Sequence, residues 1–169
     1  MRIMFENVDF SSRSGPNGFG LKLAKRLISS GAEIVIEKPD VCLSFIESTN
    51  LVSPTILRLD GIYFNSEQDW KRMNESIKRS YESADSVVIQ SQFDKNLIFR
   101  FFGEKENAAV ISNGTDIDEI SRIPLSIDND KLPREKVWMC ASSWRPHKRL
   151  NDNIRLFQEK SDKDSILLI

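Results

Sequence analysis

Arg145, His147, Lys148 and Arg149 place four side chains that can be cationic within five residues. They follow an apolar run, Val137-Trp138-Met139-Cys140-Ala141, and precede a segment patterned as a helix to Lys160. A loop between the carboxyl end of a strand and a helix N-terminus is where α/β proteins hold phosphates. Cations are disfavoured at the positive end of a helix dipole, so their clustering there makes sense if an anion binds among them. Charge-assisted hydrogen bonds contribute about 1.5–3 kcal/mol each, and two aimed at a diphosphate would supply a large share of micromolar affinity. The other reading of the segment is a helix start with surface cations.

Three further segments could line a cleft. Ser14-Gly15-Pro16-Asn17-Gly18-Phe19-Gly20 lies after a first strand and before a first helix. It could present backbone N–H groups to a phosphate, or be a flexible surface loop. Its glycine order and its distance from the strand argue against a dinucleotide fingerprint, even with Glu37 at the end of the second strand. Arg58-Leu59-Asp60-Gly61 closes a strand on the side where such sheets bind ligands, and Asp60 could equally serve a turn. Asn113-Gly114-Thr115-Asp116 is a turn placed where it could line the same cleft.

The elements that must carry these groups alternate. Strands are expected at Arg2–Phe5, Glu33–Ile36, Val41–Ile46, Thr55–Leu59, Ser86–Ile89, Ala108–Ile111, Val137–Ala141 and Ser165–Ile169. Helices are expected over Gly18–Ser30 with Gly31 as C-cap, and as one long amphipathic element over Glu67–Ala84. Others run from a Ser91 cap to Gly103, over Asp116–Ser121, and from about Pro146 to Lys160. This alternation predicts an α/β fold: a Rossmann-like open parallel sheet with helices on both faces, plus an incomplete second β-α-β unit. The expected division is a first domain over 1–123, a linker over 124–134 and the start of a second domain over 135–169. Ending within Ile166-Leu167-Leu168-Ile169 reads as a fragment of a longer two-domain protein.

A formal charge of −1 over 169 residues excludes the global basic field of a nucleic-acid binder, so any anion site is local. Cys42 and Cys140 read as buried free thiols, and with the single His147 they are too few and too far apart for a metal site. No metal and no cofactor is expected. No apolar stretch approaches a membrane-spanning length. The expected place is the cytoplasm, with peripheral contact at the inner membrane face left open by Lys71, Arg72, Lys78 and Arg79, although a solvated outer face explains these residues better.

Four segments resemble, in order, the family 4-type glycosyltransferases of the two-domain GT-B fold. Ser14-Gly15 and the helix ending Leu23-Ala24-Lys25-Arg26-Leu27 look like the family's glycine loop and first helix. Ser83 to Phe93 is similar to its A-D-x-V-I-x-x-S-x-F segment. Val110 to Asp116 looks like V-I-P-N-G-V-D. Ser142 to Lys148 resembles G-R-x-x-P-E-K, which opens the second domain. The resemblance implies transfer of a hexose from a UDP- or GDP-sugar to a sugar or glycolipid acceptor, with retention and without a catalytic metal. It implies that Lys148, Arg145, Ser143 and Gly15 hold the donor diphosphate and that Asp60 shapes the reaction centre. Ser14, Asn17, Gly18, Asn113 and Gly114 would line the cleft. Ser143 stands at the family's arginine position, Ser14 replaces a loop glycine, and Leu59 stands where a histidine is frequent. The acidic pair that holds the donor sugar would fall beyond Ile169, so the 169-residue chain alone is expected to be inactive. A non-catalytic nucleotide-sugar or anion-binding module is the alternative.

Overall fold

The computed structural model describes residues 1–12, 15–49, 54–124, 136–142, 144–145 and 148–169. The chain divides into two compact units, Met1–Thr115 and Asp116–Ile169. Apart from Pro124, the linker expected over 124–134 lies outside the described residues.

The first unit contains β1 (Arg2–Glu6), α1 (Gly15–Ser29), β2 (Glu33–Ile34), β3 (Val41–Phe45), β4 (Thr55–Leu59), α2 (Trp70–Met73), α3 (Glu75–Ser83), β5 (Ser86–Ile89), α4 (Gln92–Phe102) and β6 (Ala108–Val110). The six strands form one sheet in the order β2-β1-β3-β4-β5-β6, and every pairing is parallel. The unit is thus an α/β fold of Rossmann-like type with helices flanking the sheet. The strand order reverses beside β1, whose neighbours are β2 and β3, which makes the β1/β3 boundary the switch point of the sheet.

Alternation along the strands decides what each face carries. Leu57, Leu59, Val87 and Ile89 pack with Ile77 and Tyr81 of α3 and Ile98 of α4 into one buried cluster. Burying a side chain of this size contributes about 1.5–3 kcal/mol. The opposite face carries Phe5 and Phe45, whose rings stack at 5.9 Å, and Phe19 of α1 lies 6.2 Å from Phe45. Arg58 shares that face, because it pairs in register with Phe45.

In the first unit the helices differ from the sequence expectation at two places, each for a local reason. Helix α1 starts at Gly15 rather than Gly18, so much of the glycine cluster is helical and not loop. Pro16, whose ring presets a helical φ, suits the first turn. Gly20, inside α1, permits close packing: a Cβ there would sit 2.7 Å from Val8 Cγ1. The element expected over Glu67–Ala84 is two helices with Asn74 between them. Asp69 caps the first by accepting from the Arg72 N–H at 3.3 Å, which moves its start to Trp70.

Asn74 is buried, and its side-chain amide grips the backbone of Tyr63 from both sides. Its Oδ1 accepts from Tyr63 N at 2.9 Å, and its Nδ2 donates to Tyr63 O at 2.7 Å. An apolar periodicity cannot announce this interruption, because it is made by one polar residue and a distant loop. Elsewhere the expected caps are present. Ser91 Oγ accepts from Asp94 N at 3.1 Å, and Gly31 and Gly103 adopt φ of 87° and 95°.

The second unit holds α5 (Ile117–Ser121), β7 (Val137–Met139), α6 (Leu150–Lys160) and β8 (Ile166–Leu168). β7 and β8 pair in parallel, and Trp138 meets Phe157 of α6 edge-on at 5.9 Å. This is a β-α-β unit whose helix begins later than expected. Arg149 takes the left-handed conformation (φ 57°, ψ 48°), which separates the preceding loop from the helix at Leu150.

Asn74→Ala removes both hydrogen bonds to the Tyr63 backbone. We expect it to lower unfolding free energy by about 1–2 kcal/mol, seen as a lower urea midpoint at unchanged slope. A midpoint equal to wild type would show that the Tyr63 loop does not depend on this clamp.

Candidate functional site

The carboxyl ends of β4, β5 and β6 bring three loops together, and four side chains from them close a ring. Arg58 lies in β4 and is only 4% exposed. One of its terminal nitrogens donates to Asp60 Oδ1, and the other donates to Asn113 Oδ1 at 2.9 Å. Gln90 Nε2 also donates to Asp60 Oδ1, at 2.5 Å. Asn113 Nδ2 donates to Gln90 Oε1 at 2.8 Å and completes the ring. The guanidinium carbon stands 4.0 Å from the Phe19 ring centroid and 5.2 Å from that of Phe45. Cation–π attraction thus replaces part of the hydration that Arg58 lost on burial.

The structure joins Asp60 and Asn113, two residues expected in the cleft, through Arg58 and Gln90, which sequence reasoning did not single out. Arg58 carried a signal that could have been used. A charged residue inside a strand destined for burial on both faces needs a partner, and Asp60 is the nearest carboxylate in sequence. Gln90 carried none, since its role depends on the pairing of β4 with β5.

A second buried charge sits at the switch point. Glu6, at the end of β1, faces Ser44 of β3. Its Oε2 accepts from Ser44 Oγ at 2.5 Å and Ser48 Oγ at 2.7 Å. Its Oε1 accepts from Thr49 N at 2.6 Å and Thr49 Oγ1 at 2.8 Å. Burial alone would push this carboxyl up, but the bonds from Ser44, Ser48 and Thr49 outweigh it and hold the pKa at about 2. Both oxygens of Glu6 are engaged, so the cluster fastens the loop after β3 and offers little to a ligand. Burial beside Glu6 pushes the Cys42 thiol up, which makes it a packed group rather than a nucleophile.

The other expected residues of the first unit separate. Gly15 is the first residue of α1, and nothing lies within 4 Å of where its Cβ would be. Gly18 lies within α1 and not in a loop. Asn17 Oδ1 accepts from Asp9 N at 3.1 Å, which ties the helix start to the preceding loop. Gly114 is likewise open around its Cα. Ser14 lies outside the described residues, as do Ser143 and His147.

In the second unit Lys148 and Arg149 open a groove of about 410 Å³ along α6, continued by Asp152, Asn153, Arg155, Leu156 and Glu159. Arg149 Nε bonds Asp152 Oδ2 at 2.7 Å, and Arg155 bonds Asp152 Oδ1 at 2.9 Å. The Arg149 guanidinium, with Arg155 behind it, holds the Asp152 carboxyl below the usual carboxylate range. The anion that the clustered cations called for is therefore in part the chain's own: Asp152 sits in the first turn, where the dipole favours it, and neutralises Arg149. Arg145 and Lys148 are exposed and, among the described residues, their side chains form no ion pair. Their backbones meet, Lys148 N donating to Arg145 O at 2.8 Å.

Among the described residues no group of three or more His, Cys, Asp or Glu could hold a metal ion, and no helix is long and apolar enough to cross a membrane. No protein-family model matches the chain, and no curated protein matches it. What the fold defines is a parallel α/β unit with a polar site at its carboxyl edge.

The depressed pKa of Glu6 ties stability to pH. The unfolded carboxyl titrates near 4.5 and the folded one near 2. The contribution is therefore complete above pH 4.5 and is lost as pH falls through 2. We expect the stability advantage of wild type over Glu6→Gln to shrink by about 3 kcal/mol between pH 6 and pH 2. Parallel urea titrations at the two pH values measure this, and a constant difference would contradict it.

Proposed function

We propose that this chain is part of a glycosyltransferase of the two-domain GT-B type. It would move a hexose from a UDP- or GDP-sugar to a sugar or glycolipid acceptor, with retention and without a catalytic metal. The observation that carries the reading is the ring of Arg58, Asp60, Gln90 and Asn113. Gln90 and Asn113 come from two of the four segments whose order resembles the family 4-type enzymes. Asp60 comes from the strand end where that family shapes its reaction centre. A polar cluster at the carboxyl edge of a parallel sheet is also where α/β folds bind ligands.

In this reading the bond between the anomeric carbon and the diphosphate oxygen breaks with its electron pair on the diphosphate. The acceptor hydroxyl oxygen forms the new bond and releases its proton. Lys148 and Arg145 carry charge that no ion pair among the described residues offsets, and they would meet the charge growing on the leaving group.

Calorimetry with UDP, GDP and NAD tests the proposal. We expect heat from UDP or GDP and none from NAD, with Lys148→Ala weakening the nucleotide by about tenfold, the value of one charge-assisted hydrogen bond. Binding of NAD alone, silence with both diphosphates, or full affinity in Lys148→Ala would each overturn it.

A further inference from the structure

Tyr63, Phe64, Met73 and Phe93 are 44%, 55%, 38% and 67% exposed, and the first unit brings these large groups to one side. Asn74 grips the Tyr63 backbone with both atoms of its amide, so Met73, the residue before it, lies beside the Tyr63-Phe64 loop. On α4, Phe93, Leu97 and Phe101 recur every four residues and form one stripe. Leu97 packs against the core cluster, and Phe101 meets Trp70 of α2 edge-on at 4.9 Å, so the stripe runs along the α2 side. The start of α4 also reaches the loop, since a Cβ on Gly61 would lie 3.9 Å from Asp94 Oδ1. The four exposed groups therefore form one patch over the loop after β4, helix α2 and the first turn of α4. Ile62 anchors the loop in the core, and Asn74 fixes its backbone one residue on. A segment clamped in this way loses little freedom when a partner seats on it.

Charge decides what that partner is. The rim carries both signs: Lys71 and Arg72 on α2, Glu67 before it and Glu75 after it, all exposed. Among the described residues none of these four forms an ion pair, whereas Lys78 and Glu82 further along α3 pair at 3.4 Å. Glu67 and Glu75 repel a surface of anionic lipid, and a partner of one dominant sign meets half of the rim with like charge. A second copy of this chain meets it with opposite charge. A twofold axis sets the patch against its own duplicate, so the cations of one copy can face the carboxylates of the other. Aromatic side chains and methionine inside such a rim have the composition of an interface centre.

We infer that this patch is the interface of a twofold dimer of the chain. Tyr63, Phe64, Met73 and Phe93 form its centre, and Lys71 and Arg72 of each copy face Glu67 and Glu75 of the other. Four side chains make a small centre, so the dimer forms in the micromolar range and exchanges readily. It stands or falls independently of sugar transfer, since no residue of the ring around Arg58 or of the Lys148 loop belongs to the patch.

Sedimentation velocity of the full chain from about 1 to 200 µM tests the dimer. We expect the mass to rise from monomer to dimer across that range. Phe64→Asp and Phe93→Asp, both at exposed positions, should each weaken the dimer at least about tenfold. Lys71→Glu/Arg72→Glu and Glu67→Lys/Glu75→Lys should each be monomeric alone, because each gives the rim a single sign. A one-to-one mixture of these two variants should recover a heterodimer, which also shows that both are folded. A monomer throughout the range, a dimer untouched by both aspartate variants, or no recovery in the mixture would overturn the inference. So would flotation of the wild type with phosphatidylglycerol vesicles while it stays monomeric in solution, which would make the patch a membrane surface.

Discussion

A guanidinium inside a parallel sheet has few ways of being tolerated, and the site of this protein follows from how Arg58 meets that constraint. Its charge is far from water, so it needs a carboxylate, further acceptors for its remaining protons, and a polarisable surface over its face. Asp60, Asn113 and the rings of Phe19 and Phe45 supply these in turn. Each comes from a different stretch: the end of β4, the turn after β6, helix α1 and strand β3. Losing one partner from such a buried pair costs about 3–5 kcal/mol, so the demand of one residue fixes the relative placement of four elements.

The two faces of the sheet divide the work. On one, α3 and α4 cover the apolar cluster around Leu57, Leu59, Val87 and Ile89. Glu6 lies toward the same side, since Ser48, whose hydroxyl donates to Glu6, also donates its backbone N–H to Ser80 Oγ of α3 at 2.9 Å. On the other face α1 lays Phe19 over Arg58, and Gly20 lets the helix pack against Val8. Two carboxylates near the carboxyl edge are thus held by different means. Glu6 is satisfied internally on both oxygens and acts as a fastener. Asp60 is held through one, Oδ1, and stays partly exposed.

The second unit revises the argument from charge. A helix that begins among cations looked unfavourable without an external anion, but Asp152 in its first turn faces Arg149 and Arg155 and carries part of that role. The sequence position of Asp152, three residues after Arg149, was visible, but that the two side chains pair at 2.7 Å across the start of the helix is seen only in the folded unit. Of the described cations in that loop, Lys148 and Arg145 form no ion pair with a described residue, which narrows the phosphate proposal to those two.

Much of the fold was legible because it rests on local physics. Apolar runs of four or five residues, helix periodicity, the Ser91 cap and the glycines at 31 and 103 depend on neighbours in sequence, and they located the strands, helices and alternating α/β order. The break at Asn74 and the start of α1 were not legible as such, because a polar clamp on Tyr63 and the packing of Gly20 on Val8 involve residues that periodicity does not connect. The candidate site divides in the same way. Asp60 and Asn113 could be chosen from their places after strands, since strand ends in a parallel sheet are known before the sheet is assembled. That Arg58 and Gln90 bind them into one ring, with a single carboxylate oxygen left over, was decided only by tertiary structure. Hydrogen bonds spanning 30 and 55 positions form when strand pairing sets the register, and register is a property of the folded sheet rather than of any one segment.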